Sequence, residues 1–135
     1  MLVIKEINEE DQTKLEVGLH DYDYKMTEAI YNKKISFGYY DDHNNLVAGI
    51  TAKIEGYKIM YIETLFVNES YRHLGIGKTL IKQMEERAIF EGIKLIRLDT
   101  FSWQALEFYK KLGYEVATSY EISDNAYEYI LIKRI

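Results

Sequence analysis

The chain has 135 residues, the length of one ordinary domain, and 47% of them are hydrophobic, enough to bury a core. Seventeen Lys and Arg against 22 Asp and Glu leave a net charge of −5, which argues against a nucleic-acid partner and suits a cationic substrate. Cysteine is absent, which excludes disulfides and thiolate chemistry; no apolar run approaches the roughly 18 residues of a membrane helix, and no signal-peptide pattern opens the chain, so a cytoplasmic protein without membrane contact is expected.

No linker, repeat or low-complexity segment divides the chain, so residues 1–135 read as one domain. Leu2–Ile7 has strand composition. Asn8 followed by Glu9, Glu10 and Asp11 reads as a helix cap with acids in the first turn. The stretch to about Tyr31 is weakly patterned and predicts two short helices broken near Asp21–Tyr24. Ile35–Tyr40 is strand-like, and Asp41-Asp42-His43-Asn44-Asn45 is a turn cluster. Leu46–Ile54, Glu55-Gly56-Tyr57 and Lys58–Val67 read as strand, turn, strand. Ile76, Leu80, Met84 and Ala88 recur every four residues along one helix face, which Gly92 closes. Ile93–Leu98 is a short apolar strand. Trp103–Leu112 predicts a helix closed by Gly113. Tyr114–Glu121 and Tyr127–Lys133 pair as a hairpin across Ser123-Asp124-Asn125. The expected order is β-α-α-β-β-β-α-β-α-β-β, an α/β fold with a mixed central sheet and flanking helices.

The strand ending at Val67 runs through Asn68-Glu69-Ser70-Tyr71-Arg72-His73-Leu74-Gly75-Ile76-Gly77-Lys78-Thr79 into a helix. A helix start has unpaired N–H groups and a positive dipole end, which together attract an anion. Gly75 and Gly77 lack a Cβ, so backbone can approach a phosphate there, and Arg72 and Lys78 add charge. A P-loop is excluded because its first glycine would fall on Arg72. A dinucleotide fingerprint is excluded because its third glycine would fall on Leu80. Arg72, Gly75 and Gly77 do fit Arg-x-x-Gly-x-Gly. His20, His43 and His73 are scattered without ligand spacing, so no metal site is expected, and Asp41-Asp42-His43 is turn chemistry.

A second motif follows: Asp99-Thr100-Phe101-Ser102-Trp103-Gln104-Ala105-Leu106-Glu107-Phe108-Tyr109-Lys110-Lys111-Leu112-Gly113-Tyr114. With the first, in this order and spacing, it resembles the signatures of the GNAT superfamily of N-acetyltransferases. The resemblance covers essentially the whole chain. Glu69 stands where many members carry proline, and Ser102 where many carry asparagine, with Trp103 beside it expected to pack.

The resemblance implies acetyl-CoA as co-substrate, lying in a V-shaped gap between Ile62–Val67 and Leu95–Asp99. The backbone of Leu65, Phe66 and Val67 would pair with its pantetheine amides. Arg72, His73, Gly75, Ile76, Gly77, Lys78 and Thr79 would hold its phosphates, with Ser102 and Phe108 also on the cofactor side. Tyr109 matches the family's general acid. The acceptor amine has a pKa of about 10.4 and must lose a proton, for which Glu63 and Asp99 are both candidate bases. Glu63 is taken to share strand parity with Leu65 and Val67 and so to face the gap. Asp21, Asp23 and Tyr24 suit a cationic acceptor at the junction of the first two helices. Acetyl transfer to a small-molecule or peptide amine is expected, with a non-catalytic acyl-CoA sensor as the alternative. Homodimers, common in the family, are open here.

Overall fold

The computed structural model describes residues 1–27 and 32–135. A six-stranded mixed sheet forms its centre, in the order β1-β2-β3-β4-β6-β5. β1 (Lys33–Tyr40), β2 (Leu46–Ile54) and β3 (Ile59–Val67) make an antiparallel meander. β4 (Leu95–Phe101) joins β3 in parallel, and the hairpin of β5 (Glu115–Ser123) and β6 (Ala126–Arg134) completes the sheet with β6 against β4. The helices among the described residues are α1 (Glu9–Thr27), α2 (Ile76–Phe90) and α3 (Leu106–Lys111), with a 3-10 turn at Glu69–Tyr71. No described helix is long and apolar enough to cross a membrane.

The four-residue period of α2 becomes its buried face. Leu80, Ile81, Met84 and Ala88 sit in the core with Ile50, Ile54, Met60 and Ile96 of the strands. Each large aliphatic side chain buried this way contributes about 1.5–3 kcal/mol. Gly92, at φ 78°, turns the chain out of α2, and the amides of Gly92 and Ile93 donate back to Ile89 and Ala88. Gly113, at φ 94°, does the same after α3. Both glycines are where the sequence placed them. Asn8 caps α1 through Oδ1, which accepts from Asp11 N at 2.8 Å. Asp41 ties the β1–β2 turn by accepting from the amides of His43 and Asn45, and these bonds hold its carboxyl below the usual range.

The mixed-sheet α/β fold stands, and four local expectations are corrected. Leu2–Ile7 is not a strand: it is exposed and pairs with no strand among the described residues. Strand composition needs a neighbouring edge, and this segment reaches none. The two predicted helices are one helix, running unbroken through Asp21–Tyr24 because no proline or glycine interrupts it there. The predicted end near Tyr31 lies outside the described residues. α3 starts at Leu106 rather than Trp103, because the Gln104 side chain accepts from Phe101 N at 2.7 Å and holds residues 102–105 as a loop. β4 runs on to Phe101, past the expected Leu98.

α2 packs on β1, β2 and β3 from one side, where Ala48, Ile50, Ala52 and Ile54 point. The phenyl of Phe108 on α3 meets the start of α2 on this same side. Among the described residues, no helix is packed on the opposite face of the sheet, and α1 buries none of its residues.

Candidate active site

β3 and β4 are paired only from Ile59–Tyr61 to Leu95–Arg97, after which they part. From Ile62 to Val67, β3 keeps β2 on one side and has no strand on the other. An unpaired strand edge presents alternating N–H and C=O groups, the complement of an extended amide-bearing chain. The gap foreseen between these strands is therefore present, and Leu65, Phe66 and Val67 lie along its edge.

At the end of that edge the chain turns into α2. Gly75 occupies the N-cap position at φ 79°, where a Cβ would strain the backbone, and no side chain caps the helix. The first amides of α2 thus remain for another acceptor, which fits an anionic group such as pyrophosphate. Gly77 also meets a packing requirement. A Cβ there would come within 3.3 Å of the Phe108 ring and 3.9 Å of Val67, so its absence lets α3 close on α2. Arg72 stacks near the Phe66 ring, and its Nε donates to Val67 O at 2.9 Å, which places the guanidinium at the mouth of the gap. His73 adopts a left-handed backbone at φ 64° beside it. Lys78 is exposed, Ile76 is half-buried against the core, and Thr79 returns its hydroxyl to Gly75 O at 3.0 Å.

The second motif is tied together by its own side chains. Thr100 Oγ1 accepts from Ala105 N, and Gln104 serves both Phe101 N and the Thr100 hydroxyl. Ser102 is not part of that network; its Oγ accepts from Tyr127 N at 3.2 Å and anchors the loop to β6. Trp103 stacks flat on Phe101 at 4.7 Å but stays exposed. Tyr109 is 7% exposed, edge-on to the rings of Phe108 and Tyr114. Burial, and then the charge of Asp99, push its phenol up to about 12.

Asp99 stands on the gap side of the last paired β3–β4 residues. Its Oδ2 accepts from Tyr61 Oη at 2.6 Å, a bridge from β3 to β4 where the two strands separate. That bond is the main cause, ahead of burial, that pushes the Tyr61 phenol up to about 12. Arg97 and Lys53 lie over the Tyr61 ring at 4.9 and 5.7 Å. Glu63 does not share the parity of Leu65 and Val67. Thr51 pairs with Thr64 and Ala52 with Ile62, which leaves Glu63 as the extra residue of a β-bulge. The alternation restarts there. Leu65 and Val67 join Met60 and Ile62 against the core, while Glu63 lies 3.9 Å from Lys53 on the opposite face.

A parted parallel strand pair, an uncapped helix start after it and a buried tyrosine in the following short helix accompany a match of residues 4–114 to the model of the acetyltransferase (GNAT) family. The chain belongs to the GNAT family. It is 36% identical to thialysine N-epsilon-acetyltransferase of Bos taurus over 64 residues, 46% of this chain and 38% of that one. It is 33% identical to L-ornithine N5-acetyltransferase of Arabidopsis thaliana over 58 residues, 42% of this chain and 25% of that one. These alignments span well under half the length of either relative. A crystal structure of an acetyltransferase from Bacillus cereus superposes with a TM-score of 0.89 at 27% identity, covering 99% of this chain and 98% of that one.

Against the GNAT expectations, the structure brings together Leu65–Val67, Arg72, the α2 start, Phe108, Tyr109 and Asp99. It does not bring Asp21, Asp23 and Tyr24 to the gap of the same chain, since all three lie on α1, away from the sheet. Tyr61 was missed. It is one of 13 tyrosines, and no motif marks it. Its position two residues before Glu63 on the gap strand was the one available signal.

Proposed function

We propose that the chain transfers the acetyl group of acetyl-CoA to a cationic primary amine, either a small molecule or a lysine-like side chain. The observation that carries this reading is the parting of β3 from β4 directly before an uncapped helix start, with Tyr109 and Asp99 beside it. The named substrates of two relatives, thialysine and ornithine, are amines of this class. The cysteine-free composition suits a reducing compartment, and we place the reaction in the cytoplasm.

Acetyl-CoA supplies an acetyl thioester, whose carbonyl carbon is open to attack by a neutral amine. The free edge of Leu65–Val67 holds the pantetheine arm as an added strand, and one of its amides donates to the thioester oxygen as negative charge develops there. The first amides of α2, with Arg72 and Lys78, hold the phosphates. Asp99 takes the ammonium proton, directly or through a water, with Tyr61 fixing its carboxylate. Asp99 is preferred over Glu63 because Lys53 already stands beside the latter. As the amine nitrogen bonds to the carbonyl carbon and the C–S bond breaks, Tyr109 donates its proton to the sulfur, and its phenolate takes up the second proton that the nitrogen sheds on becoming the amide. Its phenol is held tightly by burial, but a positive nitrogen arriving in the gap lowers its pKa and readies that proton. A purely sensing domain has no use for this acid and base pair, and no observation favours that alternative.

The test is a panel of amines incubated with acetyl-CoA and read by free-thiol release. Lysine-like and polyamine acceptors are expected to turn over fastest. CoA is also expected to raise Tm where NAD and ATP do not, by mass action. No thiol release with any amine, or release only with anionic or neutral acceptors, would overturn the reading.

A further inference from the structure

The exposed surface of the chain is 10061 Å². A compact monomer of its 16.0 kDa exposes about 7,400 Å², so some 2,700 Å² is in excess. An ordinary stable interface buries about 800 Å² per partner. Two apolar faces contribute to that exposure and match each other. Leu15, Leu19, Tyr22 and Met26 fall at i, i+4, i+7 and i+11 of α1, one apolar stripe, and each is between 59% and 67% exposed. Gly18 sits at the edge of that stripe with nothing in the space a Cβ would take. A helix-interior glycine costs about 1 kcal/mol, and nothing within the chain compensates for it.

The other place is the helix-free face of β1–β3. Gly38 and Gly49 are paired across β1 and β2 at the base of a trough of about 340 Å³, walled by Tyr40, Leu46, Thr51, Thr64 and Phe66, with Leu46 lying over Gly38. Phe66 is 57% and Tyr40 60% exposed there. The outer edge of β1 has no neighbouring strand among the described residues, and Leu2–Ile7 has strand composition without an edge. One chain therefore supplies both halves of an interface and leaves both open.

We propose that two copies of this chain exchange residues 1–27, so that the Leu15-Leu19-Tyr22-Met26 stripe of each lies in the β1–β3 trough of the other. No side chain covers the backbone at Gly49, so Gly18 can approach closely there, while Leu46 lies over Gly38. Leu2–Ile7 then has the free edge of β1 within reach. The projecting arm is shared with the Bacillus cereus structure. Its 27 residues are a fifth of the chain, and a superposition that left them out could not reach a TM-score of 0.89. The exchange is domain swapping with two-fold symmetry.

The test uses the absence of native cysteine. Leu19→Cys and Thr51→Cys are placed on separate chains, co-expressed and treated with a short bismaleimide, and the doubly substituted chain is treated alone. Light scattering of the unmodified protein is expected to give twice the mass of one chain, and both cysteine preparations to cross-link between chains. A monomer mass, or a cross-link formed only within the doubly substituted chain, would overturn the exchange in favour of α1 folding back on its own sheet. Leu15→Asp with Leu19→Asp changes residues that are exposed within one chain, so that variant is expected to fold as a monomer. A dimer of unchanged mass would count against the proposal. The readouts are mass and connectivity, so their failure leaves the acetyl-transfer reading untouched.

Discussion

Tyr109 and Asp99, the proposed acid and base, lie close enough that the charge of Asp99 perturbs the Tyr109 phenol. Because the Tyr109 phenol is pushed up to about 12, it stays protonated throughout any ordinary assay. Its loss should therefore not remove a limb of the pH–rate profile. Tyr109→Phe is expected to fold, bind CoA and lose roughly 10²–10⁴ in kcat, by a constant factor from about pH 6 to about pH 9. Asp99→Asn should also lower kcat, by roughly 10²–10⁴, while Glu63→Gln should leave kcat close to that of the parent. An unchanged kcat in Asp99→Asn, measured by thiol release, would return the role to Glu63 or to water. The buried position of Tyr109 on α3 was legible in the sequence because a motif isolates it from 12 other tyrosines. The orientation of Glu63 was not legible. Strand parity can be counted along one strand, but the bulge that resets it exists only in the register between two.

At the scale of elements, the junction of β3, α2 and α3 gives its two glycines different structural requirements. Gly75 meets a backbone requirement, a left-handed φ, which local sequence can signal. Gly77 meets a packing requirement set by Phe108, 31 positions away, which it cannot. The two roles of this junction separate experimentally. Gly77→Ala presses a methyl on the Phe108 ring, which alanine's advantage of about 1 kcal/mol in a helix partly offsets, and is expected to change stability by no more than about 2 kcal/mol while keeping most of the Tm rise on CoA binding. Gly77→Asp adds a carboxylate at the anion site and should abolish that rise. If the two variants lose it equally, measured on folded protein by thermal unfolding, the fit of α3 to α2 governs CoA binding rather than charge. The amphipathic face of α2 was legible for the same reason as Gly75, since a period of nearly four residues is a local pattern. The missing first strand was not, because Leu2–Ile7 carries its own composition but not its partner.

The whole molecule decides what Asp21 and Asp23 do. Within one chain they ride on a helix that buries nothing, and no acceptor in that chain's gap would meet them as a wall. With the arm exchanged, they are carried to the sheet face of the other copy, the face on which Tyr61 and Asp99 join β3 to β4. Asp23 then borders the seated stripe and Asp21 projects from the solvent side of the helix, and both acids, on a protein of net charge −5, would draw a cationic amine toward the gap. Such attraction acts over about 10 Å at 0.1 M salt and is screened beyond that. Asp21→Asn with Asp23→Asn is therefore expected to raise KM for a cationic acceptor several-fold at low ionic strength, with the difference shrinking as salt is added. KM for acetyl-CoA, held at the opposite end of the gap, should not move. The double variant should remain a dimer, since neither acid belongs to the apolar stripe. Steady-state kinetics at two salt concentrations test this directly. An acceptor KM that does not respond to the substitutions would show that the arm shapes the assembly without touching the substrate.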